Sequence, residues 1–219
     1  MRRQSPPSPP RRTELRPGRQ AVGQSVPFVG LTGGLGSGKS TALAALGRLG
    51  AEVISSDAIV HELYEGPELR EAVVEHFGRQ VAPEGVVDRA ELARAAFATD
   101  QDRAWLEARI WPLVGARVAA WLEHARSLEP PPPAAVVEVP LLFEAGLGEL
   151  YDATIAVVAD EQVRAGRAAQ RGHAAVDERA ARQLSQQEKA ARASYVVRND
   201  GTVEELERQL SGILAKLGE

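Results

Sequence analysis

The run Gly33-Gly34-Leu35-Gly36-Ser37-Gly38-Lys39-Ser40-Thr41 constrains this chain more than any other stretch. It follows the apolar segment Phe28-Val29-Gly30-Leu31 and leads into Ala42-Leu43-Ala44-Ala45-Leu46. Strand, glycine loop and helix in this order are the context that the phosphate-binding pattern G-x-x-x-x-G-K-[ST] requires. Glycines allow successive backbone N–H groups to turn toward one point, and the helix N-terminus adds a positive dipole. Lys39 is placed to reach the β- and γ-phosphates, and the Ser40 hydroxyl to ligate Mg²⁺. The stretch therefore reads as a nucleoside triphosphate site, and what accepts the phosphate is the open question.

Composition narrows the classes. At 219 residues the chain suits one domain with an insertion. No run approaches the roughly 18 apolar residues of a membrane span. The chain has no cysteine, so disulfides, a thiol nucleophile and Cys-based zinc sites are excluded, and a cytoplasmic setting is expected. Its four histidines, His61, His76, His124 and His173, show no metal-ligand spacing. Residues 1–25 hold six Arg, one Glu and five Pro, and read as a disordered basic tail. With a net charge of −4 overall, the remainder is about −9, which argues against a nucleic-acid surface.

Along the chain, residues 26–31 read as a first strand, followed by a helix from Lys39 that Gly50 terminates. Residues 51–54 read as a second strand, expected beside the first, with Asp57 just past its C-terminal end. Ligands bind at that edge of open α/β sheets. Residues 58–127 turn helical. Pro67 suits a first helical position, Gly78 a stop, Asp88 with Glu91 a capping pattern, and Asp100 a further cap. Trp105, Leu106, Ile110, Leu113, Val114, Val118, Trp121 and Leu122 recur at helical spacing, so the Trp residues read as packing. The proline run 130–133 leads back to strands at 134–139 and 154–158. A helix then carries Arg164, Arg167 and Arg171 on one face. A second basic helical stretch, 177–193, includes Arg179, Arg182, Lys189 and Arg192. A short strand at Tyr195, the turn Asn199-Asp200-Gly201 and a helix capped by Thr202 and Glu205 close the chain. The expected fold is α/β, a three-layer parallel-sheet P-loop core. It comprises residues 26–62, 134–162 and 194–219, with a helical insert at 63–133 and a lid at 163–193.

Three features select a small-molecule kinase among P-loop chemistries. The D-x-x-G and N-K-x-D patterns of GTPase switches are absent. The acid pair Asp160-Glu161 leads into the Arg face rather than standing as a water-polarising pair. Phosphoryl transfer to an alcohol needs a carboxylate base, mobile cations and an acceptor pocket. Asp57, the Arg164/Arg167/Arg171 face and the helical insert match these needs. A kinase of another nucleoside or sugar, and an ATP-binding module without an acceptor, also fit the residues.

With these parts assembled, the chain resembles the dephospho-coenzyme A kinases from about residue 26 onward. Four blocks carry the resemblance: Gly30 to Thr41; Val53-Ile54-Ser55-Ser56-Asp57; Val139-Pro140-Leu141-Leu142-Phe143-Glu144; and Tyr195-Val196-Val197-Arg198-Asn199-Asp200-Gly201. It implies transfer of the ATP γ-phosphate to the ribose 3′-hydroxyl of dephospho-coenzyme A with Mg²⁺. It also implies Asp57 as the catalytic carboxylate, Lys39 and the loop amides on the phosphates, and Arg171 with its neighbours as lid arginines. Asn199 would lie against the nucleotide base and the inserted helices would bind the coenzyme A moiety. No nucleic-acid or membrane partner is expected. The chain departs from the family pattern at Ser55 (commonly Asp), at Trp111 before Pro112 (commonly His) and at Ser194 (commonly Asp).

Overall fold

A computed structural model describes residues 25–170 and 183–219. The expected tail, apart from Ser25, lies outside them, as do Arg171, Arg179 and Arg182 of the expected lid. The described chain divides into a sheet unit and a helical unit, the latter spanning Ser56–Arg117.

The sheet unit is built on strands β1 (Phe28–Gly33), β2 (Glu52–Ser55), β3 (Ala135–Glu138), β4 (Ala153–Val158) and β5 (Tyr195–Arg198). Their order is β2-β3-β1-β4-β5, and every pairing is parallel. Parallel strands are joined by crossovers that cover the faces, so the central strands can be apolar throughout. All of β1 and β3 is buried, whereas β2 is half-buried along its length. Helices α1 (Lys39–Arg48) and α8 (Val203–Leu217) cover one face. Ala42, Ala45 and Leu46 of α1 and Leu206, Leu210 and Leu214 of α8 close on Val29, Leu31, Val136, Ile155 and Val197. On the opposite face the approach is closest at Gly30, where a Cβ would overlap Leu142 and Tyr151. The Tyr151 ring lies 4.6 Å from that of Phe28, and burial pushes its phenol pKa far up. Helices α6 (Glu161–Gln170) and α7 (Gln186–Arg192) follow β4.

The parallel α/β architecture is the expected one. One neighbour relation is not: β3, not β2, pairs with β1, so Asp57 does not end the strand beside the P-loop strand. The physical reason lies in composition. Ala135-Val136-Val137 has no polar side chain to solvate and takes an interior place, while Glu52 and Ser55 leave β2 suited to an edge.

In the helical unit, α2 (Ser56–Glu65), α3 (Pro67–Phe77), α4 (Arg89–Ala96) and the first part of α5 (Asp100–Ser127) surround Leu69, Val73, Val81, Leu92 and Ile110. Pro67 opens α3 and Gly78, at φ 92°, ends it. Asp88 caps α4 by accepting from the N–H groups of Ala90 and Glu91. The cap of α5 is Thr99, whose hydroxyl accepts from the N–H of Asp102, and not Asp100 as expected. The Asp102 carboxyl is held below its ordinary range by hydrogen bonds from Thr99 and His76. Trp105 is a packing residue, stacked on His76 at 3.8 Å with the Arg109 guanidinium 3.7 Å from its centroid. Asp57 belongs to this unit, which spans Ser56–Arg117.

Leu210 is fully buried between α8, α1 and the sheet. Leu210→Ala is expected to cost about 2–5 kcal/mol in urea unfolding, and a loss below about 1 kcal/mol would contradict this account of the core.

Candidate nucleotide-binding site

Because all five strands are parallel, their C-terminal ends share one edge of the sheet. Leu31 of β1 is level with Glu138 of β3 and Ile155 of β4, and Ser55 of β2 is level with Glu138. The loop 34–38 rises from this edge and enters α1 at Lys39. Its turn is closed by the Ser37 N–H donating to the Gly34 carbonyl at 3.2 Å. Gly36 and Gly38 have φ of 72° and 88°, the region that favours glycine.

The loop carbonyls are tied to the scaffold. Lys39 Nζ donates to the carbonyls of Gly33 and Gly34 at 3.0 and 3.1 Å. Arg164 Nε donates to the Leu35 carbonyl at 2.9 Å. Asn199 Nδ2 donates to the Ser37 carbonyl at 2.9 Å. A trans peptide directs its N–H opposite to its C=O, so the bonds from Arg164 and Asn199, made from outside the loop, turn the next N–H groups, of Gly36 and Gly38, away from those donors. No side chain among the described residues caps the N-terminus of α1, and the helix dipole there favours an anion. The whole is an anion cradle with its geometry set by neighbours. Ser40 and Thr41 follow in the first turn of α1, Ser40 exposed and Thr41 half-buried.

Asn199, expected against a base, is only 4% exposed and its amide is engaged by the loop. Arg167, expected as a lid cation, donates from Nη1 to the Asn199 carbonyl at 3.0 Å. Arg164 holds the loop itself. Lys189, counted among the lid's basic residues, is fully buried in α7. Asp57 stands exposed in the first turn of α2.

Sequence patterning missed two residues of this edge. Glu138 ends the apolar strand β3 next to the P-loop strand and is 7% exposed. Its signal, an acid closing an apolar strand, was present in Ala-Val-Val-Glu. Gln186 brackets Ala159 at the end of β4, accepting from its N–H and donating to its carbonyl, each at 2.9 Å. Nothing in a run of Gln-Gln-Glu-Lys marks that role.

The profile of the dephospho-CoA kinase family matches residues 27–205. The chain belongs to the dephospho-CoA kinase family. Its relatives include the dephospho-CoA kinase of Anaeromyxobacter dehalogenans, 40% identical over 86% of this chain and 91% of that protein. The dephospho-CoA kinase of Geobacter metallireducens is 37% identical over 83% and 92%. Among solved structures, a Thermus thermophilus protein superposes with a TM-score of 0.73 at 33% identity, covering 88% of this chain and 98% of that one. Ser194 and Thr154 form a reciprocal pair. Ser194 Oγ accepts from the Thr154 N–H at 3.1 Å, and the Ser194 N–H donates to Thr154 Oγ1 at 3.0 Å. A short hydroxyl thus closes β4 onto the start of β5.

A Cβ on Gly36 would sit 2.5 Å from the Arg164 carbonyl oxygen in addition to demanding a positive φ. Gly36→Ala should weaken ATP binding by about tenfold or more in calorimetry. Gly146→Ala, equally at positive φ but with open space around it, should leave ATP affinity unchanged. Equal affinities for the two variants would contradict the close packing of the loop on α6.

Proposed function

We propose that this kinase moves the γ-phosphoryl group of ATP to the ribose 3′-hydroxyl of dephospho-coenzyme A, the last step of coenzyme A synthesis. The observation that carries the reading is the braced loop 33–41 in a chain matching the dephospho-CoA kinase profile over residues 27–205. In this reading the loop N–H groups and Lys39 hold the β- and γ-phosphates of the donor. Asp57 takes the proton of the 3′-hydroxyl as the new O–P bond forms, and the bond from γ-phosphorus to the bridging oxygen breaks to release ADP. The α6 arginines neutralise charge on the transferring group. Arg171, outside the described residues, joins them in the proposal. The helical unit receives the coenzyme A moiety.

Mg²⁺ fits the oxygens available here. It is commonly held by one or two protein oxygens together with substrate phosphates, rather than by an all-protein cage. The exposed Ser40 hydroxyl at the start of α1 and the Glu138 carboxylate at the end of β3 supply such oxygens. Among the described residues there is no cluster of three or more His, Cys, Asp or Glu side chains able to hold a metal alone. When bound, the ion would offset the charge of the donor's phosphates. No helix among the described residues is long and apolar enough to cross a membrane, and the reading places the enzyme in the cytoplasm.

A panel of acceptors with ATP and Mg²⁺, followed by product chromatography, tests the reading. Dephospho-coenzyme A should be the acceptor turned over fastest. Preference for a nucleoside or a sugar, or ATP bound with no phosphorylated product, would overturn it. Asp57→Asn should lower kcat by about a hundredfold or more while ATP affinity holds, and near-normal turnover would remove Asp57 from its role. Lys39→Ala should weaken ATP affinity and turnover together, and a change in neither would contradict its place on the phosphates.

A further inference from the structure

Lys189 is the largest side chain among the fully buried residues of the described chain, and the donor role given to the loop makes no use of it. Its ammonium has three hydrogens and finds three acceptors: Glu144 Oε1 at 2.9 Å, the Pro140 carbonyl at 2.6 Å and Thr32 Oγ1 at 3.5 Å. Thr32 Oγ1 in turn donates to the same Pro140 carbonyl at 3.3 Å. Glu144 Oε1 also accepts from the Leu184 N–H at 2.8 Å. Three segments thus meet on one buried charge: the end of β1, the turn 140–144 after β3, and the lead into α7.

Stability is a weak reason for such a pair. Apolar residues of similar volume commonly replace a buried ion pair at no cost, whereas removing one partner alone is strongly destabilising. Position is the stronger reason. Thr32 is joined directly to Gly33, whose carbonyl receives Lys39 Nζ. At Gly33 the chain has no slack, since a Cβ there would sit 2.5 Å from the Val157 carbonyl oxygen and 2.6 Å from Ser37 Oγ. A displacement of Thr32 therefore passes into the first turn of the phosphate loop rather than being absorbed beside it. The turn 140–144 starts two residues after Glu138, so the same contact fixes the ends of β1 and β3 on each other.

We propose that Lys189 is a positioning residue for the transfer reaction. With Glu144 it holds Thr32 and the turn 140–144 in the register that the phosphate loop and the Glu138 edge need. The role rests on the reading of the loop as the ATP donor site. Misplacement of reacting groups by about 1 Å can cost on the order of a hundredfold in rate, so the loss should appear in kcat rather than in acceptor KM.

The test compares Lys189→Met, Glu144→Gln and the double variant K189M/E144Q in the full chain. Melting temperature, steady-state kinetics with dephospho-coenzyme A, and amide hydrogen exchange over residues 33–38 are measured on each. Each single variant should melt lower and lose kcat about tenfold or more, with acceptor KM within roughly twofold. The double variant leaves no unpaired buried charge, so its melting temperature should move back toward the wild type. Its kcat should stay depressed and its loop exchange should stay faster than wild type. Recovery of kcat and of loop protection together with melting temperature would show a purely structural pair and overturn the proposal, as would single variants with unchanged kcat. If the wild type makes no coenzyme A, the kinase reading fails by itself. Loop exchange, which needs no acceptor, then decides the role of Lys189: faster exchange in the double variant supports it, and wild-type exchange overturns it.

Discussion

The structure depends on tying back the carbonyl groups of the phosphate loop. Four loop carbonyls, on Gly33, Gly34, Leu35 and Ser37, receive donors from Lys39, Arg164 and Asn199. A peptide cannot present both its N–H and its C=O to the same point, so anchoring one orients the other. An anion site made only of glycines would have to be ordered by its ligand at an entropic cost of about 1–2 kcal/mol per residue. Here that order is present beforehand. The donors come from α1, α6 and the turn after β5, so the cradle exists only when those elements are docked.

The sheet makes this docking possible. Its parallel strands bring the P-loop, Glu138, Ala159 and Asn199 to one edge from positions far apart in the chain. Below that edge, apolar contacts between α1, α8 and the strands set the level of the loop. On the other face Lys189, Glu144, Pro140 and Thr32 replace apolar packing with a directed contact. Dispersion is non-directional, and a charged hydrogen-bond network fixes orientation as well as distance. The two faces thus contribute differently: one supplies stability and the other registers the strand ends.

Much of this was legible in the sequence because it rests on local rules. The glycine loop between an apolar strand and a helix, Pro67 at a helix start, Gly78 at a stop and the Thr202–Glu205 capping box each need only a few neighbouring residues. The errors share a cause in long-range placement. The order of β2 and β3 depends on which strand tolerates burial on both faces, a comparison between residues some eighty positions apart. Asn199 meets the loop at the Ser37 carbonyl, a contact between residues 162 positions apart. Lys189 sits in a basic helical stretch expected within the lid, and only the fold brings Glu144, Pro140 and Thr32 around it. The choice of Thr99 over Asp100 as a cap is a one-residue ambiguity that the hydrogen bond to the Asp102 N–H resolves.

A crystal structure with Mg²⁺ and a non-hydrolysable ATP analogue tests most directly the claim that the donor site is built before its ligand. The account predicts the β- and γ-phosphates in the cradle of residues 34–39. The Arg164–Leu35 and Asn199–Ser37 bonds should be kept, and the loop main chain should move by less than about 1 Å, as for other pre-organised sites. Phosphates bound elsewhere, or a loop rebuilt around them with those two bonds broken, would contradict it.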